Sequence, residues 1–130
     1  MPKVEYSKAK GLVQSTGSGF VMAAETVTAA GAADPGVALT LCNAGAGSIN
    51  VSLADGTTVG QLKWFVTIAA TNNSVIIPAT TAGAYANVTL DTLGESLCLV
   101  WAGAAGWAIL SRAGGVAANA TAVAGMPVIA

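Results

Sequence analysis

Apolar and polar residues alternate in short runs through the middle of the chain. Ile49, Val51 and Leu53 fall on one side of an extended backbone and Asn50 and Ser52 on the other, while Val88 and Leu90 oppose Asn87 and Thr89. A period of two is that of a β-strand with one buried and one wet face. On this pattern strands are predicted over 37–42, 48–53, 62–69, 74–77, 86–91, 96–101 and 107–111, with weaker runs at 11–15 and 20–28. The breaks between them carry turn chemistry: Asp34-Pro35-Gly36, Ala44-Gly45-Ala46-Gly47, Asp55-Gly56, Thr71-Asn72-Asn73, Ala82-Gly83 and the glycines Gly103 and Gly106. Turns about every ten to twelve residues set the rhythm of a sandwich or jelly roll. The expected fold is therefore all-β, a jelly-roll-like or related antiparallel β-sandwich. Alanine favours helix, so the segment 21–33 is left open to a helical turn or two.

Composition alters this picture at the ends and on the surface. Lys3, Lys8 and Lys10 sit beside Glu5 in the first ten residues, and after Arg112 the chain is an uncharged Ala/Val/Gly tail. The organisation expected is an N-terminal arm over 1–10, a sandwich domain over 11–112 and a C-terminal arm over 113–130. A compact monomer of 12.6 kDa exposes roughly 6,000 Å² of surface. Five basic and six acidic residues have to cover it. At 8% charged, against about 25% in ordinary soluble domains, and with mean hydropathy +0.68, the chain is expected to bury part of its surface in an assembly.

The formal net charge of −1 provides no field to gather nucleic acid or anionic lipid, so neither is expected as a partner. No apolar signal segment follows the charged start, and synthesis and retention in the cytoplasm are expected. The long uncharged stretches are rich in Thr, Asn, Gly, Pro and Ala, which argues against a membrane span. Cys42 and Cys98 each lie within an apolar run and read as buried free thiols.

Candidate chemistry is sparse. With no histidine in the chain, Ser-His-Asp and Cys-His nucleophile schemes and His-ligated metal sites are excluded. Asp91 and Glu95 are close carboxylates, but Thr92-Leu93-Gly94 between them makes a turn the better reading than an acid/base pair. Gly17-Ser18-Gly19 and Gly45-Ala46-Gly47 lack the continuation of a phosphate loop and also read as turns. No catalytic residue, cofactor site or metal site is assigned. Trp101 and Trp107 flank a five-residue loop and are expected opposite each other in a hairpin, as core or subunit packing in preference to a sugar-stacking platform. Trp64 and Phe65 are adjacent on one predicted strand, so one ring must look away from its own core.

Asp55-Gly56, Gly60-Gln61-Leu62-Lys63, Leu93-Gly94-Glu95-Ser96, Leu99-Val100-Trp101 and Gly106-Trp107-Ala108-Ile109 form a succession that resembles a short β-module of tailed-bacteriophage virion proteins. Head decoration (cement) proteins and fibre or tail parts are among them. The resemblance covers roughly residues 37–111, a large part of the expected core. It implies a non-enzymatic virion structural protein that binds the outer surface of a phage capsid as an oligomer, expected to be a trimer, and stabilises the shell by bridging capsomers. The implied partners are further copies of the chain and the major capsid protein. Interface candidates are Lys3, Lys8 and Lys10 for charged contacts of the arm, and Trp64, Phe65, Trp101 and Trp107 for apolar packing. The alternative reading is a receptor- or glycan-binding component of a phage tail fibre, with an exposed Trp stacked on sugar.

Overall fold

The computed structural model describes residues 3–7, 11–16, 21–114 and 127–130. Every regular element among them is a strand, apart from one 3-10 turn at Gly103–Ala105. Lys3–Ser7 (β1) and Gly11–Thr16 (β2) pair antiparallel as a two-stranded ribbon. Ten further strands follow: β3 (Ala24–Val27), β4 (Gly31–Ala33), β5 (Leu39–Asn43), β6 (Ile49–Leu53), β7 (Leu62–Ala69), β8 (Ser74–Pro78), β9 (Val88–Leu90), β10 (Ser96–Trp101), β11 (Trp107–Ala113) and β12 (Val128–Ile129). Sheet I has the order β11-β10-β7-β5-β3 and sheet II the order β12-β9-β8-β6-β4.

The chain alternates between the sheets from β3 to β8, so β3, β5 and β7 lie parallel in sheet I and β4, β6 and β8 lie parallel in sheet II. Each pair of consecutive strands is thus one rung of a flattened, three-rung solenoid. Over most of the last two rungs the register step is the same: Leu39 pairs with Trp64 and Ile49 with Ser74, each 25 positions on, until a bulge after Cys42 sets Asn43 against Ala69. Direction reverses at β9, and β9 on β8, β10 on β7 and β11 on β10 are all antiparallel. The expected all-β sandwich is present, but its sheets are mixed where antiparallel pairing was expected. Alternation along a strand fixes which side chains point inward and says nothing about the direction of the neighbouring strand.

Between the sheets lies one apolar core. Sheet I contributes Val27, Cys42, Phe65, Leu97, Leu99, Trp101 and Trp107, and sheet II contributes Ala33, Ile49, Val51, Leu53, Ile76, Val88 and Leu90. The segment 21–33, open to helix by composition, instead supplies β3 and β4. The expected boundary at residue 10 lies outside the described residues, as does most of the expected C-terminal arm. Ala113 ends β11, and Val128–Ile129 add an edge strand to sheet II through β9. Ala130 closes that end by accepting from the Ala86 and Asn87 N–H groups and donating to Asn87. Among the described residues no helix is long and apolar enough to cross a membrane.

Candidate functional site

Strand β7 is the centre of sheet I, and its alternation sets what each face offers. Lys63, Phe65 and Thr67 point inward and are buried, whereas Leu62, Trp64, Val66 and Ile68 point outward. The adjacent aromatics Trp64 and Phe65 therefore divide as a strand requires, Phe65 inside and Trp64 half-buried on the outer face. Leu39 and Cys98 flank Trp64 in register on the neighbouring strands, and Leu41 and Val100 extend the same face. The described strand positions on this face carry no charged side chain. Leu62 and Ile68 are each 43% exposed and Leu110, in the bulged part of β11, is 59% exposed. The outer face of sheet II is mixed: Asn50 and Ser52 stand exposed on β6 and Thr89 half-buried on β9, beside Val75 and Ile77 on β8, Ile77 37% exposed. Apolar positions are denser on the outer face of sheet I, and a contiguous apolar patch is the kind of surface that interaction sites use.

Trp101 and Trp107 do meet across the hairpin, with ring centroids 5.4 Å apart and planes at 60°. Both are core residues, 8% and 0% exposed, and the Trp107 indole N–H donates to Ala54 O at 2.9 Å. With Phe65 also fully buried, these three of the interface candidates pack within the protomer, and Trp107 presents no ring face for a sugar. Of the apolar set only Trp64 reaches the surface. Among the basic candidates Lys3 lies in β1, while Lys8 and Lys10 fall outside the described residues.

A polar cluster that composition did not single out lies at the start of β7. Lys63, 0% exposed, donates to Val37 O at 2.7 Å, Asp34 O at 2.8 Å and Glu25 Oε1 at 3.1 Å. Glu25 Oε1 also accepts from Thr40 Oγ1 at 2.6 Å and from Asp34 N at 2.9 Å. Next to Lys63 along the chain, Gln61 Nε2 donates to Pro35 O and Gln61 Oε1 accepts from Thr57 N at 3.0 Å. Gln61 and Lys63 therefore hold the Asp34-Pro35-Gly36 turn onto β7, and every proton of the ammonium has an acceptor. Burial pulls the Lys63 pKa below its ordinary value despite the Glu25 carboxylate beside it. For Glu25, burial works to raise the pKa, but the donors Thr40, Lys63 and Asp34 together hold it below its ordinary value. The one legible signal was parity: Lys63 shares the inward phase of Phe65 and Thr67.

Asp91 and Glu95 form a turn, as expected. Glu95 is buried and its Oε2 accepts from Asp91 N at 2.7 Å and Thr92 N at 3.1 Å, while Asp91 is exposed and accepts from Thr92 Oγ1. Cys42 and Cys98 are buried and free. Among the described residues no group of three or more Cys, Asp or Glu could hold a metal ion. No family model matches the chain, and no curated protein matches it.

Proposed function

We propose that this chain is a non-enzymatic structural protein that works as an oligomer, and that it decorates the outer surface of a phage head, where it stabilises the shell by bridging capsomers. The observation that carries the self-association is the uncharged outer face of sheet I around Trp64. Packing each copy against its sisters removes the apolar face from water, and a trimer is the form the phage-module resemblance favours. The basic residues Lys3, Lys8 and Lys10 then serve as charged contacts to the capsid protein.

Size-exclusion chromatography with light scattering tests the core of this reading. The wild-type protein is expected to elute as an oligomer at micromolar concentration, and Trp64→Ser to shift it toward monomer with an unchanged circular dichroism spectrum. A monodisperse wild-type monomer overturns it. Addition of the purified protein to undecorated phage heads, followed by imaging, tests the capsid role, with ordered density on the outer surface as the expected result.

A further inference from the structure

We propose that the Asp34–Pro35 peptide bond is a self-cleavage site, with Asp34 as nucleophile and Lys63 as part of an oxyanion-binding pair. The sequence supplies the reacting groups: a carboxylic acid one side chain away from its own main-chain carbonyl, and a proline nitrogen as leaving group. The fold supplies the rest. The Asp34 carbonyl oxygen accepts two hydrogen bonds, from Val37 N at 3.1 Å and from the Lys63 ammonium at 2.8 Å. Two donors on one carbonyl oxygen, one of them cationic and buried, form the arrangement that stabilises negative charge developing there. Asp34 N is fixed by Glu25 Oε1 at 2.9 Å, and Gly36 N holds Asp34 Oδ1 at 2.8 Å, so the carboxyl group is folded back over its own turn. The Asp34 side chain is nonetheless exposed, which gives water access.

The chemistry balances with water alone as co-reactant. In its protonated form the Asp34 carboxyl adds through one oxygen to the Asp34 main-chain carbonyl carbon, and the carbonyl electrons move onto the oxygen held by Val37 and Lys63. Collapse of this intermediate breaks the C–N bond to Pro35. The carboxyl proton passes to the proline nitrogen, which leaves as a secondary amine. The cyclic anhydride left at Asp34 is hydrolysed by a water molecule to two carboxyl groups, so the products end in Asp34 and begin with Pro35. The charged groups facing this turn are Glu25 from β3 and Lys63 from β7. Their ion pair keeps the ammonium in place against the turn.

The test is intact-mass spectrometry of the purified full chain held in mildly acidic buffer, with circular dichroism confirming that the fold persists. Fragments 1–34 and 35–130 are expected. They should accumulate on the order of tenfold or more faster in the folded protein than in the same protein in urea at the same pH, because the donor pair exists only in the fold. Asp34→Asn, which keeps an acceptor for Gly36 N, is expected to abolish the fragments while leaving the spectrum unchanged. Cleavage no faster in the folded protein than in urea, or fragments at an undiminished rate from Asp34→Asn, overturns the proposal.

Discussion

Replacing Lys63 with Met isolates what the buried ammonium contributes. Methionine keeps an unbranched stem of similar length in the core and removes all three charged hydrogen bonds. The loss is uneven. Glu25 Oε1 keeps Thr40 Oγ1 and Asp34 N, and Asp34 O keeps Val37 N, but Val37 O loses its Lys63 donor. Breaking a buried ion pair costs about 3–5 kcal/mol. The Glu25 side chain is 25% exposed and can recover water, which puts the expected cost at the low end, about 3 kcal/mol. For a chain of this size, at about 4 °C per kcal/mol, the thermal midpoint should fall by roughly 12 °C. Urea unfolding followed by tryptophan fluorescence checks the figure: the midpoint should drop with the m-value unchanged. The double variant Lys63→Met/Glu25→Gln should lose less than the sum of the singles, because the second change removes the charge that the first leaves unpaired. A loss below about 1 kcal/mol in the single variant, the value of an exposed pair, would refute the view that this ammonium is a desolvated tie between strand and turn.

The same pair sets a pH dependence. Glu25 has a lowered pKa in the fold, so the stability it contributes is present above its unfolded pKa and is lost as pH falls through the folded value. Lys63 is also lowered, so in the alkaline window between its folded and unfolded pKa values the unfolded chain binds more protons and this group makes stability rise with pH. Urea titrations across both windows should show the two slopes, and Lys63→Met should lack the alkaline one. Gly56→Ala should cost about 1–3 kcal/mol, because the added Cβ would stand 2.4 Å from the Trp101 ring, which the Trp107 contact and two backbone bonds hold in place; an unchanged thermal midpoint would count against that packing. Burial pushes the Cys42 thiol up to about 12, so a thiol reagent at neutral pH should label it only as fast as the protein unfolds.

How much of this was legible in the sequence depends on which physical signal each feature leaves. The runs at 62–69 and 96–101 coincide with β7 and β10: Lys63, Phe65 and Thr67 alternate with less buried neighbours, while Leu97, Cys98 and Leu99 form a short continuous apolar run, and turn residues bound both strands. Strand β4 was missed, since Gly31-Ala32-Ala33 has neither branched nor aromatic side chains and is held by parallel pairing to Val51–Leu53 in the next rung. Strand β12 was missed for the same reason of distance: Val128 and Ile129 find their partners on β9, across the intervening β10 and β11. Trp64 was correctly placed as one of two aromatics of which one must face outward, but assigning the pair needed the neighbouring strands. Gly60-Gln61-Leu62-Lys63 stands out only as part of the resemblance, whereas Gln61 and Lys63 reach a turn more than twenty residues earlier, and no local pattern records that reach.

The shared step between the second and third rungs has a structural corollary for growth of this architecture. Because Leu39 lies beneath Trp64 by the same number of residues that separates Ile49 from Ser74, the passages from β5 to β6 and from β7 to β8 have matched lengths. A further circuit of that length, spliced between them, would meet ladders above and below in the same phase. The coil is therefore modular in its middle, while the reversal at β9 fixes one end; the shorter first step, 15 residues from Ala24 to Leu39 and 20 from Gly31 to Val51, shows that the turns outside that middle absorb changes of length.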